Sequence, residues 1–439
     1  MGFTELWPGL AAQRRACYSG HFGTRGSAVK TDVLVLGAGI VGVSVALHLA
    51  RRGRDVVLLD RQGAGEATSF GNAGLIQREG GAPHKFPQEL STLLTYAQNR
   101  SIPMRFQWRA LPGMARFLGQ YWWNSRDASY RRVVADYSKL IAHSLSEHIP
   151  LIEEAGASDL VGKAGWLKVY RTQAGYDGAR AEAEMLAPTG IEHRTLDSTN
   201  LRAEQPALTG PYVGAVHWTQ PWTVRDPLAL TQAYLRLFEK LGGRFVTGDA
   251  MTLRQSAGGW EVDSAEGAIS APEVVVALGP WADGLLRKLG RKLPLGGKRG
   301  YHMHYRPAEG PALTLPTYDE AGFLIAPMHR GLRLTTGAEF AALDAPPNAA
   351  QLDAAEAVAR ASFPLGERLD EKPWMGVRPC TPDMKPIIGP EGRPGLWLAI
   401  GHAHHGLTLG PATGRLLAEM MAGDTPFVDP SPYTVTRFG

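Results

Sequence analysis

Cysteine is almost absent from this chain: Cys17 and Cys380 are the only two among 439 residues. Two cysteines cannot build a disulfide framework, and no Cys/His spacing matches a zinc site, so neither a disulfide scaffold nor a metal centre is expected. Long apolar runs are equally scarce. Residues 33–50, VLVLGAGIVGVSVALHLA, come nearest, but Gly37, Gly39 and Gly42 break the run and His48 lies inside it. A bilayer needs about 20 continuous apolar residues in one helix. A buried strand, a tight glycine turn and a buried helix explain the run better, and an integral membrane protein is not expected. Internal repeats and low-complexity tracts are also missing. With 44% hydrophobic and 20% charged residues the composition is that of ordinary globular domains, which excludes collagen-like, coiled-coil and disordered classes. The length suits two or three domains of about 100–200 residues.

Excess charge is confined to one place. The net charge is +4, yet residues 1–30 carry Arg14, Arg15, Arg25 and Lys30 against Glu5 alone, so the rest of the chain is close to neutral. A nucleic-acid partner is therefore not expected. Residues 1–29 have no apolar run after the Arg pair and no long amphipathic period. They read as a disordered extension rather than a signal or transit peptide.

What is present is an alternation. Val/Leu-rich runs at 32–36, 56–60, 244–249 and 273–277 flank helical patterns at 40–52 and 226–241, as in a parallel sheet with crossover helices. Segments 164–170, 212–218, 300–305, 322–326 and 332–336 read as strands of an antiparallel sheet. They interrupt the parallel pattern at 81–224 and 291–370. One nucleotide-binding domain from three pieces (30–80, 225–290, 371–425) and one inserted domain from two (81–224, 291–370) follow, with a tail at 426–439. Apolar residues from Tyr130 to Leu145 at three-and-four spacing predict one long helix over 126–155. Trp108, Phe117, Trp122 and Trp123 before it read as packing.

Gly37, Gly39 and Gly42 stand in GxGxxG spacing after a strand and before a helix. The first glycine permits the turn, the second lets a pyrophosphate approach the backbone, and the third allows close helix–strand packing. The helix amino terminus offers free N–H groups and positive dipole to phosphates. VVLLD follows, ending at Asp60, whose carboxylate can accept hydrogen bonds from both ribose hydroxyls of an adenosine and would repel a 2′-phosphate. NADP is disfavoured; FAD and NAD remain open on this motif. EATSFGNAGLI, residues 66–76, can run as backbone along a ribityl chain. LWLAIGHAHHGLTLGPATGRLLAEMM reads as strand, glycine turn and a second helix, with Pro411 near its start. Together they favour flavin.

The motifs DVLVLGAGIVG…VVLLD, TSFGNAG, RDPLAL…GGRF…VVVALGPWAD, GVRPCTPDMKPIIG and GHAHHGLTLGPATG stand in one order over about 30–425. In them the chain resembles the FAD-dependent D-amino-acid oxidase and dehydrogenase family. It is most similar to bacterial D-amino-acid and hydroxyproline-type dehydrogenases and more distantly to glycine oxidase. The resemblance implies an α/β (α+β) fold: a glutathione-reductase-like, Rossmann-type FAD domain with an inserted mixed-sheet substrate domain. It implies hydride transfer from a D-amino acid or a secondary α-amino acid (a proline or hydroxyproline isomer) to flavin, giving the imino acid. Electrons would pass to a quinone, an electron-transfer protein or oxygen. The alternatives are an oxygen-using glycine/sarcosine-type oxidase and an accessory FAD-binding subunit of a larger dehydrogenase. Location in the cytoplasm is expected, with peripheral contact at the inner membrane and homo- or hetero-oligomerisation left open.

By motif, FAD contacts are implied for Gly37, Gly39, Ile40, Val41, Gly42, Asp60, Arg61, Ser69, Asn72, Ala73, Gly74 and Leu75. They are implied also for Met251 beside Ala250, Ala277, Leu278, Gly279, Trp281, His405, Gly406, Leu407 and Thr408. Arg378 falls where relatives present an arginine to the substrate carboxylate, and His404 stands where glycine oxidase has a second arginine. Tyr301 and, less strongly, His302 are the further substrate-side candidates. By period two, Tyr301, Met303 and Tyr305 share one face of their strand and His302 and His304 the other. The imidazoles of 402–405 lack the acid or cysteine a metal would want, and one of them is expected to bring partial positive charge to the flavin. Relatives that tether flavin use a cysteine position nearer Gly376 than Cys380, so the FAD is expected to be noncovalent.

Overall fold

The computed structural model describes residues 29–439. The extension assigned to 1–29 lies outside the described residues except Val29. With Lys30, Val29 pairs in parallel with Ile269–Ser270.

Two sheets organise the chain. The first has nine strands in the order Val29–Lys30, Gly267–Ala271, Gly259–Ser264, Arg244–Ser256, Val56–Asp60, Val33–Leu36, Glu273–Val276, Leu396–Ile400 and Ile387–Pro390. The five strands from Arg244–Ser256 to Leu396–Ile400 pair in parallel. Their central members are Val/Leu runs buried on both faces, the pattern a helix-covered parallel sheet requires. Helices Ile40–Ala50, Pro227–Lys240 and Gly406–Ala422 cover one face and Ala282–Lys288 the other. Ile40–Ala50 and Gly406–Ala422 touch through small residues: a Cβ on Gly414 would lie 2.5 Å from the Ser44 carbonyl oxygen.

The second sheet is mixed and has eleven strands, with Gly296–Pro307 as its hub. Gly331–Thr335, Ala338–Phe340, Leu365–Arg368 and Trp374–Cys380 all pair with that strand. Helix Ala350–Arg360 closes the core beneath, against Tyr301, Met303 and Tyr305.

Three expectations need correction, and the structure adds detail to the tail. Trp374–Cys380 is a strand of the second sheet, so the third nucleotide-domain piece does not begin at 371; the return to the first sheet comes at Ile387–Pro390. The long helix over 126–155 is two helices, Asp127–Ile141 and Ser144–Glu154, which still share one apolar face toward the core. The tail at 426–439 is packed: Tyr433 is fully buried, its hydroxyl donates to the Asp136 carbonyl (2.6 Å), and Arg437 pairs with Asp383 (2.8 Å). Of the aromatic cluster only Phe117 packs inside, whereas Trp108 and Trp123 are 66% and 56% exposed. No helix among the described residues is long and apolar enough to cross a membrane.

Candidate functional site

A cavity of about 880 Å³ runs from the carboxyl ends of the parallel strands to the second sheet. Open parallel sheets place their ligands there. At one end lie Gly37, Gly39, Ile40, Val41, Asp60, Arg61 and Met251. Ala277, Leu278, Gly279 and Trp281 lie at that same end, Ala277 against Gly37 and Trp281 against Arg61, and Ser69, Asn72, Ala73, Leu75, His404, His405, Gly406, Leu407 and Arg378 complete the lining.

The turn is built for a backbone-hugging ligand. Gly37 has φ +104°, and a Cβ there would lie 2.5 Å from the Ala277 carbonyl oxygen. Only glycine is both free in that region of φ and small enough. A Cβ on Gly42 would lie 1.8 Å from the Gly37 carbonyl oxygen, so the helix starts hard against the turn. Gly42 does not itself line the cavity; its place is in that packing. The Ser69 hydroxyl accepts the Ile40 N–H at 3.0 Å and ties the 66–76 loop to the helix start. Asp60 stands at its strand's carboxyl end and accepts N–H groups from Ala38 (2.7 Å) and Gln62 (3.1 Å). The Arg61 guanidinium lies 4.5 Å from the Trp281 ring centroid. Glycine cradle, helix terminus and strand-end acid fit a dinucleotide cofactor.

The 66–76 loop is held by the second sheet. Buried Arg333 donates to the carbonyls of Phe70 (3.0 Å) and Asn72 (2.6 Å) and to His304 Nε2 (3.0 Å). Gly74, at φ +76°, is needed for its turn, since a Cβ would sit 2.2 Å from the Val224 carbonyl oxygen, and it lies off the cavity wall. Thr408 is also off the wall. Its hydroxyl donates to the Leu75 carbonyl (3.0 Å) and accepts the Gln77 N–H (3.3 Å), so it braces the loop.

At the start of helix Gly406–Ala422 the hydrogen bonds fix a neutral imidazole. Gln77 Nε2 donates to Glu79, which turns Gln77 Oε1 toward His405 Nε2 (3.1 Å). Nε2 therefore carries the proton, and Nδ1 accepts from the Tyr137 hydroxyl at 2.6 Å. Burial lowers His405 and His402 to about 3, and holds His404 well below 6.5 with help from His405, His84, Arg378 and Lys298. His405 therefore offers only the partial positive charge of a neutral N–H, and the helix terminus beside it adds charge of the same sign. Pro411 is reassigned. It is the sixth helical residue, past the first turn, and the carbonyl its missing N–H leaves free, that of Leu407, accepts from His148 Nε2 at 2.8 Å.

Arg378 faces the cavity from the second sheet, donating to the carbonyls of Gly337 (2.8 Å) and Thr336 (3.1 Å). Burial lowers its pKa. No carboxylate pairs with it among the described residues. His404 faces the same space, with its ring 4.7 Å from that of His84. The other two substrate-side candidates are corrected. Tyr301 borders the cavity, but its hydroxyl donates to Glu339 (2.6 Å) and accepts the Asn348 N–H (3.0 Å), and its ring belongs to the core under the sheet. His302 is on the face toward the loop but behind the wall, stacked on Trp374 (4.8 Å) and lowered to about 2 by burial and Arg333. Lys298 and His84, which motif reading passed over, do line the cavity. Period two, carried two residues back from Gly300, places Lys298 on the His302 face.

Comparison with known proteins agrees with this architecture. The family model described as FAD dependent oxidoreductase (DAO) matches residues 32–420. A D-amino acid dehydrogenase of Methylobacterium radiotolerans is 32% identical over 92% of this chain and 99% of its own, and one of Chromohalobacter salexigens 30% identical over 93% and 99%. Glycine oxidase from Geobacillus kaustophilus superposes with a TM-score of 0.71 at 22% identity, covering 93% of this chain and 99% of its own. L-proline dehydrogenase from P. horikoshii superposes at 0.70 with 19% identity, covering 94% and 98%. The chain belongs to the DAO family of FAD dependent oxidoreductases, and FAD is its cofactor.

Proposed function

We propose that the protein oxidises the C–N bond of a D-amino acid or a secondary α-amino acid to the imine. One observation carries the reading: Arg378, a fixed guanidinium fork with no carboxylate partner among the described residues, faces the cavity beside the start of helix Gly406–Ala422. A planar fork held by two carbonyls suits a carboxylate. The relatives at about 30% identity are named D-amino acid dehydrogenase, which favours the D series.

The cofactor supplies the hydride acceptor when bound. In this reading Asp60 holds the adenosine ribose, and the Gly37–Val41 turn with the helix terminus takes the pyrophosphate. The Ser69–Leu75 loop would follow the ribityl chain, and the backbone N–H groups of Gly406 and Leu407, in the first turn of their helix, would polarise the flavin's pyrimidine side. Binding is noncovalent, because Cys380 is buried with its thiol pushed up by burial. Arg378 orients the substrate, and the lowered pKa of His404 keeps a neutral imidazole near an amine that must be uncharged to react. The electron acceptor is a quinone, an electron-transfer protein or oxygen.

The test is anaerobic mixing of the yellow holoenzyme with D- and L-amino acids, including D-proline and hydroxyproline isomers. Bleaching by D or secondary amino acids is expected. A flavin that dithionite reduces but no amino acid does would indicate an accessory subunit. Peroxide formed in air would identify oxygen as the acceptor.

A further inference from the structure

Lys298 and Arg378 are register partners on adjacent antiparallel strands, and both line the cavity. Directly opposed side chains on one sheet face lie about 5 Å apart at Cβ, and like charges there repel. Neither side chain has a carboxylate within ion-pair distance among the described residues. Lys298 Nζ is 2.9 Å from the Tyr121 hydroxyl and 3.7 Å from Met384 Sδ, with the Tyr121 ring centroid 4.0 Å away. The Tyr121 hydroxyl donates onward to the His84 carbonyl, so it accepts from the ammonium. An ammonium has three donors, and one is left for a ligand. The acids on the cavity wall, Asp60 and Asp249, stand at the Gly37 end, on strands of the first sheet.

Burial opposes both charges, lowering Lys298 to about 8 and Arg378 below its usual range. A buried ammonium and a half-buried guanidinium facing each other, with no carboxylate in ion-pair reach among the described residues, form an anion receptor. Their partners divide the work. Arg378 is pinned by two carbonyls as a planar fork, whereas Lys298 ends a flexible stem between Tyr121, Phe340 and Met384, a corridor suited to methylene groups. We propose that Lys298 sets substrate specificity: with Arg378 it selects an α-amino acid bearing a second, side-chain carboxylate, the α-carboxylate on Arg378 and the distal one on Lys298. This rests on the amino-acid oxidation proposed above.

The test uses holoenzyme and isosteric pairs, D-glutamate against D-glutamine and D-aspartate against D-asparagine, read as anaerobic flavin reduction. The acid of at least one pair is expected to have a kcat/KM about 10–100-fold above its amide, the range of one charged hydrogen bond. Lys298→Met should bring that ratio to about 1. Equal or better use of the amides by the wild type overturns the proposal. So does a Lys298→Met loss that is the same for acid and amide, which would mean one carboxylate shared by both cations. Should that variant not fold, wild-type binding of glutarate against butyrate, read from the flavin spectrum, decides: glutarate must bind tighter. Reduction by neutral D-amino acids alone defeats only the Lys298 assignment, whereas no reduction by any amino acid defeats the underlying activity.

Discussion

Replacing Arg378 by methionine separates a binding arginine from a structural one. Two charged hydrogen bonds from its fork to a substrate carboxylate are worth about 1.5–3 kcal/mol each, roughly 3–5 kcal/mol together after incomplete additivity. At about 1.4 kcal/mol per decade, kcat/KM for the amino acid should fall about 10²–10³·⁵-fold. Stability should move little, for two opposing reasons. The carbonyls of Gly337 and Thr336 lose their donors, at about 1–3 kcal/mol each if left dry. The same change removes a half-buried charge with no counter-ion among the described residues, and its repulsion on Lys298. The assay is anaerobic flavin reduction by the amino acid and by its decarboxylated amine, with thermal melting in parallel. Arg378→Lys, a point charge rather than a fork, should recover part of the loss. An equal loss on the amine, or a collapsed melting temperature with wild-type kinetics, would refute the assignment.

Gly42→Ala should yield protein deficient in FAD, although alanine favours the helix by about 1 kcal/mol, because the new methyl meets the Gly37 carbonyl oxygen at 1.8 Å; a full flavin complement on purification would contradict this. Tyr301→Phe should lower the melting temperature through about 1–3 kcal/mol of lost hydrogen bonding to Glu339 and Asn348, without changing KM; a raised KM would return Tyr301 to the substrate. The acid-to-amide preference should decline as pH rises from about 7 to 9.5. Lys298, facing Tyr121, Arg378, Cys380 and His84, is cationic below its lowered pKa of about 8 and loses its charge above it. The side-chain carboxylate makes the amine of the acid more basic than that of its amide, so each kcat/KM is taken per uncharged amine; a ratio so taken that is flat or rising over that range would count against Lys298.

The parts of the site that could be read along the chain are those where one short segment makes the feature. GAGIVG and Asp60 are separated by one helix, and their chemistry is local. The cavity contains most of the residues so named, with Gly42, Gly74 and Thr408 serving the packing behind it. Face assignment failed at Tyr301. Period two separates the faces of a strand but does not say which one meets the cofactor loop. Helix Ala350–Arg360 covers the Tyr301 face and leaves the Lys298–Gly300–His302 face to the 66–76 loop. Trp374–Cys380 was placed in the wrong domain for a similar reason, since strand pairing over about 80 residues of separation leaves no local mark.

By itself the sequence determined the parallel nucleotide fold, its glycine turns and the acid at the strand's carboxyl end. Glycine spacing and apolar runs are constraints that backbone sterics and burial impose within a segment. Only the tertiary structure decided which groups share the substrate cavity. It set Lys298 opposite Arg378 with no counter-ion among the described residues, buried His402 and His405 deeply enough to keep them neutral, and sent the Tyr301 hydroxyl into the core. Those outcomes depend on the register between distant strands and on desolvation, which are properties of the packed chain.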